Sequence, residues 1–162
     1  MARTHSPRPR TPNPFAFKPG SPDDNPSENG SRFSGRQREA SRRTVLVVDD
    51  DATNLALARA LLEAEDFVVL TATDAFSTFD VLKDHDPAVI LMDIQLPGMD
   101  GWELTRRLKK NVVTSHIPII ALTAYGKQGD EERARETGFA EFVAKPVSTR
   151  QLPAIIRKYL QR

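Results

Sequence analysis

The sequence predicts an α/β fold in which five parallel strands form a doubly wound sheet and alternate with five helices. Short runs rich in Val, Ile and Leu, without polar alternation, are typical of parallel strands covered on both faces. These runs occupy residues 44–48, 67–71, 88–92, 117–122 and 140–144. Between the first two runs, Leu57, Leu61 and Ala64 recur at i, i+4 and i+7, which predicts the inner stripe of a helix. The βα pattern repeated five times favours a parallel sheet.

Turn and cap residues agree with these elements. Asp74 stands where the second helix needs an N-cap, and Gly138 stands where the fourth helix needs a C-cap. Pro97-Gly98 and Asp100-Gly101 indicate turns after the third strand.

The start of the last helix is less well defined by the sequence. Ser148 and Gln151 have the spacing of a capping box. Pro153, however, stands where a helix beginning at Ser148 would need a backbone N–H. We therefore predict this boundary only to within a few residues.

Residues 1–43 differ in composition from residues 44–162, and we assign them to a separate tail. The tail has nine Lys and Arg against four acids, a net charge of +5, and the whole chain has +1, which leaves −4 for the rest. It is rich in Pro and Ser, and its large apolar residues are Phe15, Phe17 and Phe33. So little apolar surface cannot offset the entropy of ordering, which predicts disorder. Its basic charge favours weak, salt-sensitive contact with polyanions.

Composition also excludes several classes of protein. No apolar stretch approaches the roughly 18 residues of a membrane span, and Met1 is not followed by the apolar core of a secretory signal. We therefore expect a cytoplasmic protein. The chain has 0 Cys, which excludes disulfides and thiolate metal sites. A transit peptide is disfavoured because the many prolines of the tail oppose an amphipathic helix.

Polar residues with related chemistry follow four of the five predicted strands. Asp49 and Asp50 follow the first strand, and Asp93, Thr123 and Lys145 stand at the ends of the third, fourth and fifth. In a doubly wound sheet the carboxyl ends of the strands meet at one edge, where ligands bind. Carboxylates there would bind a hard divalent cation, one of them would accept a phosphoryl group, and the hydroxyl and ammonium would donate to its oxygens. This pattern predicts a phosphorylatable aspartate.

The motifs resemble a known family in order and spacing. They are Leu91 to Gly98 (LMDIQLPG), Leu122-Thr123-Ala124 and Lys145-Pro146. On these motifs residues 44–162, about three-quarters of the chain, resemble the receiver domain of two-component response regulators, the CheY-like superfamily. Residues 91–97 and 116–133 are also similar to single-domain regulators of the DivK type, which control polarity and cell-cycle kinases in alphaproteobacteria.

The resemblance implies a role for each site residue. Asp93 would be the phosphoacceptor, and Asp50, Asp93 and the backbone carbonyl of Gln95 would bind Mg²⁺ directly, with Asp49 acting through water. Thr123 and Phe142 would form the switch pair. Lys145 would contact the phosphoryl group, and its bond to Pro146 would be cis. Asp51 lies outside this set.

The resemblance further implies a signalling protein whose own chemistry is limited to self-phosphorylation and autodephosphorylation. A histidine kinase or histidine phosphotransferase would be the donor, and a downstream protein would bind the face of the fourth helix, fifth strand and fifth helix. The loop 125–129 would change conformation. Specific DNA binding is not expected, because no output domain follows Lys145-Pro146.

Two alternatives stay open at this point. One is a receiver module detached from a hybrid histidine kinase. The other is a phosphatase of the haloacid dehalogenase type, which needs a second acid two residues after its nucleophile, where this chain has Gln95.

Overall fold

A computed structural model describes residues 43–124 and 130–160 of the chain. Five strands and five helices alternate along these residues. The strands are β1 (Thr44–Val48), β2 (Val68–Ala72), β3 (Val89–Asp93), β4 (Ile119–Thr123) and β5 (Glu141–Ala144). The helices are α1 (Ala52–Glu63), α2 (Ala75–Asp84), α3 (Gly101–Lys110), α4 (Asp130–Thr137) and α5 (Gln151–Leu160).

The five strands form one parallel sheet in the order β2-β1-β3-β4-β5. One face is covered by α1 and α5, through a core that includes Leu62, Leu152 and Ile156. The other face is covered by α2 and α3, through residues such as Ala75 and Leu104. The predicted doubly wound α/β fold is therefore confirmed. The chain reverses direction across the sheet between β1 and β3, and such a switch point opens a crevice at the carboxyl ends of the strands.

Strand register aligns the polar strand ends. Val48 pairs with Met92, so Asp49 and Asp93 each follow a paired position. Asp93 pairs with Leu122, and Thr123 pairs with Ala144. The ends of β1, β4 and β5 thus lie within about one residue of the level of Asp93 across the sheet.

β1 matches its predicted run, and the boundaries of the other four strands differ from theirs by one or two residues. β2 begins at Val68 because Asp66 turns the chain with φ +64° and the Phe67 N–H bonds to the Leu62 carbonyl at the end of α1. β4 begins at Ile119, after Pro118, which has no N–H for a strand ladder.

The predicted inner stripe of α1 is wrong. Leu57 is 60% exposed, whereas Leu62 is fully buried and Leu55 and Ala58 pack beside it. The stripe that faces the sheet follows i, i+3 and i+7 from Leu55. Periodicity alone could not choose between two apolar stripes on one short helix.

The predicted helix caps are confirmed. Asp74 accepts the Ser77 N–H at 2.7 Å and forms a capping box at the start of α2. Gly138 follows α4 with φ +98°. Asp100 caps α3 by accepting the Glu103 N–H, so Asp100-Gly101 is a helix start rather than a turn.

The predicted capping box of the last helix is not formed. The Ser148 side chain accepts the Arg150 N–H at 3.4 Å, and the Ser148 carbonyl accepts those of Gln151 and Leu152. Since α5 begins at Gln151, Pro153 is its third residue. A backbone N–H in the first turn has no partner inside a helix, so the proline costs no hydrogen bond there.

The tail lies almost entirely outside the described residues. Arg43, the last residue assigned to it, has its carbonyl bonded to the Val68 N–H at 3.0 Å and so continues the pairing of β1 with β2. The predicted loop 125–129 is also outside the described ranges. Within those ranges, none of the helices is long and apolar enough to cross a membrane.

Candidate functional site

Three carboxylates converge at the carboxyl ends of β1 and β3. Asp49, Asp50 and Asp93 each offer an oxygen within 4.8 Å of the others. Asp49 and Asp93 are buried, at 1% and 6% exposure, whereas Asp50 is exposed. Negative groups this close repel one another unless a cation lies among them.

Lys145 supplies a cation within the structure. Its Nζ donates to Asp49 Oδ2 at 2.7 Å and to Asp93 Oδ2 at 2.8 Å. Burial lowers the pKa of this ammonium, but its hydrogen bonds to Asp49 and Asp93 outweigh burial and raise the pKa above its ordinary value. The lysine is therefore charged near neutral pH and links the ends of β1, β3 and β5.

Asp93 is held at both carboxylate oxygens. Oδ2 accepts from Lys145, and Oδ1 accepts the backbone N–H of Gln95 at 3.0 Å. The following residue, Ile94, has its carbonyl bonded to the N–H of Gly101, the first residue of α3. The carboxylate orientation and the strand end beneath it are thus both fixed.

Asp49 is bonded to a residue that sequence reasoning missed. Asn54 Nδ2 donates to both Asp49 oxygens at 3.2 Å, and the Asp51 N–H donates to Oδ1 at 2.9 Å. The position of Asn54 could have indicated this contact, since Asn54 lies in the first turn of the helix that follows the three consecutive aspartates. An amide there faces back toward the end of β1.

Asp51 has a structural role, in agreement with its exclusion from the predicted site. Its Oδ1 accepts the N–H groups of Thr53 at 2.7 Å and Asn54 at 3.2 Å, which caps α1. Hydrogen bonds from the backbone of Asn54 and Thr53 hold the pKa of this carboxyl below its ordinary value.

Thr123 and Phe142 lie on neighbouring strands. Thr123 is half-buried at the end of β4, and its carbonyl accepts the Lys145 N–H at 2.7 Å. The Phe142 ring is 5.7 Å from Trp102 and 5.5 Å from Phe139, measured between centroids. These two residues stay a predicted switch pair.

Trp102, Phe139 and Phe142 form an aromatic cluster between α3 and β5. Trp102 and Phe139 meet edge to face at 5.4 Å, and the Arg133 guanidinium of α4 lies 4.4 Å from the Trp102 ring centroid. Such contacts add to the energy of simple burial. The three rings and the Arg133 guanidinium therefore connect α3, α4 and β5.

The carboxylate set fits a divalent cation of the Mg²⁺ type. Mg²⁺ takes oxygen ligands, usually one or two carboxylates together with waters and phosphate oxygens. Asp49, Asp50 and Asp93 supply these oxygens at short range, and exposed Asp50 leaves a path from solvent. The peptide bond between Lys145 and Pro146 is cis, as the resemblance implied.

Comparison with known proteins identifies the family. Residues 45–157 match the model of the response regulator receiver domain. The chain belongs to the response regulator receiver family. It is 38% identical over 118 residues to the polar-differentiation response regulator DivK of Brucella ovis, covering 73% of this chain and 96% of that protein. DivK of Brucella anthropi matches with the same identity and coverage.

Solved structures of receiver domains share the fold. The receiver domain of sensor histidine kinase PA1611 from Pseudomonas aeruginosa, with a magnesium ion coordinated in its active site cleft, superposes with a TM-score of 0.68. It is 29% identical, over 74% of this chain and 98% of that one. A putative response regulator from Chloroflexus aurantiacus has a TM-score of 0.70 at 28% identity, over 74% and 98%. The protein is thus a response regulator similar to DivK, and the phosphatase alternative has no support.

Proposed function

We propose that this response regulator accepts a phosphoryl group on Asp93 with Mg²⁺ as the required ion. The observation that carries the proposal is the fixed geometry of Asp93, whose Oδ1 is bonded to Gln95 and whose Oδ2 is bonded to Lys145. The donor is the phosphohistidine of a histidine kinase or a histidine phosphotransferase, the partner class that the family implies.

The transfer step exchanges one bond to phosphorus for another. An Asp93 carboxylate oxygen attacks the phosphorus, the P–N bond to the donor histidine breaks, and the electron pair returns to the imidazole nitrogen. Asp49 and Asp50, with the Gln95 carbonyl, would hold Mg²⁺ beside Asp93. When bound, the ion offsets the negative charge that accumulates on the carboxylates and the phosphoryl oxygens.

Phosphorylation changes the interactions of the site residues. A phosphoryl group adds a charge of about −2 and three acceptor oxygens. Lys145 is already within reach of Asp93, and its ammonium would turn to the new oxygens, while the Thr123 hydroxyl would donate to another. The phosphoryl group thereby competes with Asp49 for the lysine.

The change would reach the output face through Phe142. This ring would move when the Thr123 side chain turns. Because it packs with Trp102 and Phe139, its displacement would alter the contact between β5 and α3. The downstream protein would bind the face of α4, β5 and α5. Part of that face is the polar group in which Glu141 accepts from Lys158 and Tyr159, each at 2.9 Å.

An apolar groove beside the site is suited to the phosphodonor protein. It has a volume of about 140 Å³ and is bordered by Leu57 and Leu61 of α1 and by Pro146 and Val147 after β5. The same groove reaches Lys145 and Asp49, so a protein seated there brings its histidine near Asp93. The exposed Leu57 supplies apolar contact area for that partner.

Localisation and the tail complete the proposal. We expect the protein to act in the cytoplasm, where histidine kinases present their catalytic domains. The basic residues 1–43 would add only weak, salt-sensitive contact with polyanions.

A phosphorylation assay tests the function. Wild-type protein is incubated with acetyl phosphate and Mg²⁺, resolved on a Phos-tag gel, and mapped by mass spectrometry. We expect one modified residue, Asp93, and no shift in EDTA or with Asp93→Asn. The matched control is Asp100→Asn, which changes an exposed helix cap and should be labelled normally. Labelling of Asp93→Asn at the wild-type level would refute the assignment.

A further inference from the structure

Asn54 is placed to orient Asp49. Asp51 caps the first turn of α1 by accepting the Thr53 and Asn54 N–H groups, so the backbone of Asn54 is fixed. From that turn the Asn54 amide donates to both oxygens of Asp49 at 3.2 Å. A donor shared by both oxygens restrains rotation of the carboxylate.

Asp49 depends on such donors because it is only 1% exposed. A buried carboxylate without hydrogen bonds carries a large desolvation cost. Its partners are Lys145 Nζ at 2.7 Å, the Asp51 N–H at 2.9 Å and Asn54. Lys145 is shared with Asp93, whereas the Asp51 N–H and Asn54 hold Asp49 from the α1 side.

On the basis of the proposed function, we propose that Asn54 is a positioning residue for Asp49. It holds the carboxylate in the orientation that faces the cation site. It also keeps Asp49 hydrogen-bonded when Lys145 turns toward the phosphoryl group, which makes that movement less costly. Asn54 therefore acts through Asp49 in two steps, cation binding and the response of Lys145.

Cation affinity tests the first step. Mg²⁺ is titrated into the unphosphorylated full-length wild type, Asn54→Ala and Asn54→Leu by isothermal calorimetry. We expect both variants to bind Mg²⁺ on the order of 10-fold more weakly, the lower end of the range for lost partners of ligating carboxylates. Leucine has nearly the size of asparagine, so it separates loss of the donor from loss of volume.

Asn111→Ala is the matched control. Asn111 ends α3, and its side chain accepts the Val113 N–H at 2.9 Å, so its loss affects local structure remote from the carboxylates. We expect this variant to lose thermal stability and to keep wild-type Mg²⁺ affinity. A purely structural role of Asn54 would give the same result as this control.

Beryllofluoride, a mimic of the phosphoryl group, tests the second step. At saturating Mg²⁺, Asn54→Ala should bind it more weakly, because Asp49 then retains Lys145. In a double-mutant cycle, the loss should be smaller in the Lys145→Ala background, where there is no ammonium to retain.

Two results would overturn the inference: wild-type Mg²⁺ affinity in Asn54→Ala, or affinity restored by Asn54→Leu. Equal loss of beryllofluoride affinity in both backgrounds would also contradict the second step. Failure of the proposed function looks different, because the wild type itself would then show no labelling at Asp93.

Discussion

Gly101 lies against the backbone of Asp93 so closely that a Cβ on Gly101 would stand 2.3 Å from the Asp93 carbonyl oxygen. The same hypothetical atom would be 2.8 Å from the Ile94 Cα. Neither neighbour is a flexible side chain. The start of α3 and the end of β3, which carries Asp93, can therefore approach this closely only with glycine at position 101.

Gly101→Ala should lower the free energy of unfolding by about 2 kcal/mol, within the range for overpacking a closed site. It should also slow labelling by acetyl phosphate, because the strand end that carries Asp93 must shift. Urea unfolding and Phos-tag time courses measure the two effects. Gly98→Asn is the control, since Gly98 has φ +77° with nothing within 4 Å and asparagine tolerates that conformation. A Gly101→Ala protein of wild-type stability and rate would contradict this packing argument.

Lys145→Ala should lower the free energy of unfolding by about 3 kcal/mol in the absence of divalent ions, because removing one member of a buried pair leaves uncompensated charge. Asp49 and Asp93 would then repel each other. Mg²⁺ should restore part of this loss, so the ion should raise the melting temperature of the variant more than that of the wild type. Differential scanning fluorimetry with and without Mg²⁺ measures the difference.

The control for Lys145→Ala is Lys83→Ala, which removes an exposed ion pair with Asp80. That variant should keep nearly the wild-type free energy of unfolding, because an exposed ion pair contributes little to stability. Lys145→Ala should also reduce the difference in partner affinity between the free and beryllofluoride-bound forms. If the difference in partner affinity between the two forms were unchanged, Lys145 would have no part in the response to phosphorylation.

Asp74→Asn should make the free energy of unfolding less dependent on pH in the acid range. The backbone N–H of Ser77 lowers the pKa of Asp74 in the folded protein, so the unfolded chain takes up the proton first. The stabilisation is complete above the unfolded-state value of about 3.9 and is lost as the pH falls through the lower folded-state value. Asparagine caps the helix without a charge, so this pH-dependent part should disappear. Urea unfolding at pH 2.5 to 7 measures how the free energy of unfolding of each protein depends on pH. An unchanged dependence in Asp74→Asn would exclude the Asp74 carboxylate as its source.

Phe142→Leu should weaken the fluorescence response of Trp102 to beryllofluoride. Trp102 is the single tryptophan of the chain and stands 5.7 Å from the Phe142 ring, so its emission reports on this contact. Leucine keeps most of the apolar volume but removes the ring contact. Arg133→Ala is the comparison, because it removes the cation above Trp102 and should shift the resting emission while keeping the response. A wild-type fluorescence response in Phe142→Leu would show that Phe142 takes no part in the switch.

Deletion of residues 1–42 should leave the melting temperature and the labelling rate nearly unchanged, since every residue of the proposed site follows them. The deletion stops before Arg43 because the Arg43 carbonyl bonds Val68. Binding to DNA and to anionic vesicles should decrease and should depend on salt only in the full-length protein. A fall of many degrees in the melting temperature would show that the tail packs on the domain.

The sequence was informative where chemistry and periodicity coincide. The strand-end positions of Asp49, Asp93 and Lys145 were predictable because a parallel sheet brings the ends of its strands to one edge. The inner face of α1 was not predictable, because positions 57 and 62 carry the same side chain. Only the packing of the helix on the sheet determines that Leu62 is buried and Leu57 is exposed. Asn54 was missed because a single amide has no pattern of its own. Its contact with Asp49 depends on the angle at which α1 leaves β1.

The strand order places the site residues on two kinds of strand, central strands and an edge strand. Asp49 follows β1 and Asp93 ends β3, and each of these strands lies between two neighbours in the sheet. Phe142 lies in β5 and Lys145 follows it, and among the described residues β5 pairs with β4 alone. Moving the end of an edge strand breaks fewer backbone hydrogen bonds than moving the end of a central strand. The residue proposed to accept the phosphoryl group is thus anchored in the middle of the sheet. The residues proposed to transmit the change lie at an edge of the sheet, where small displacements cost least.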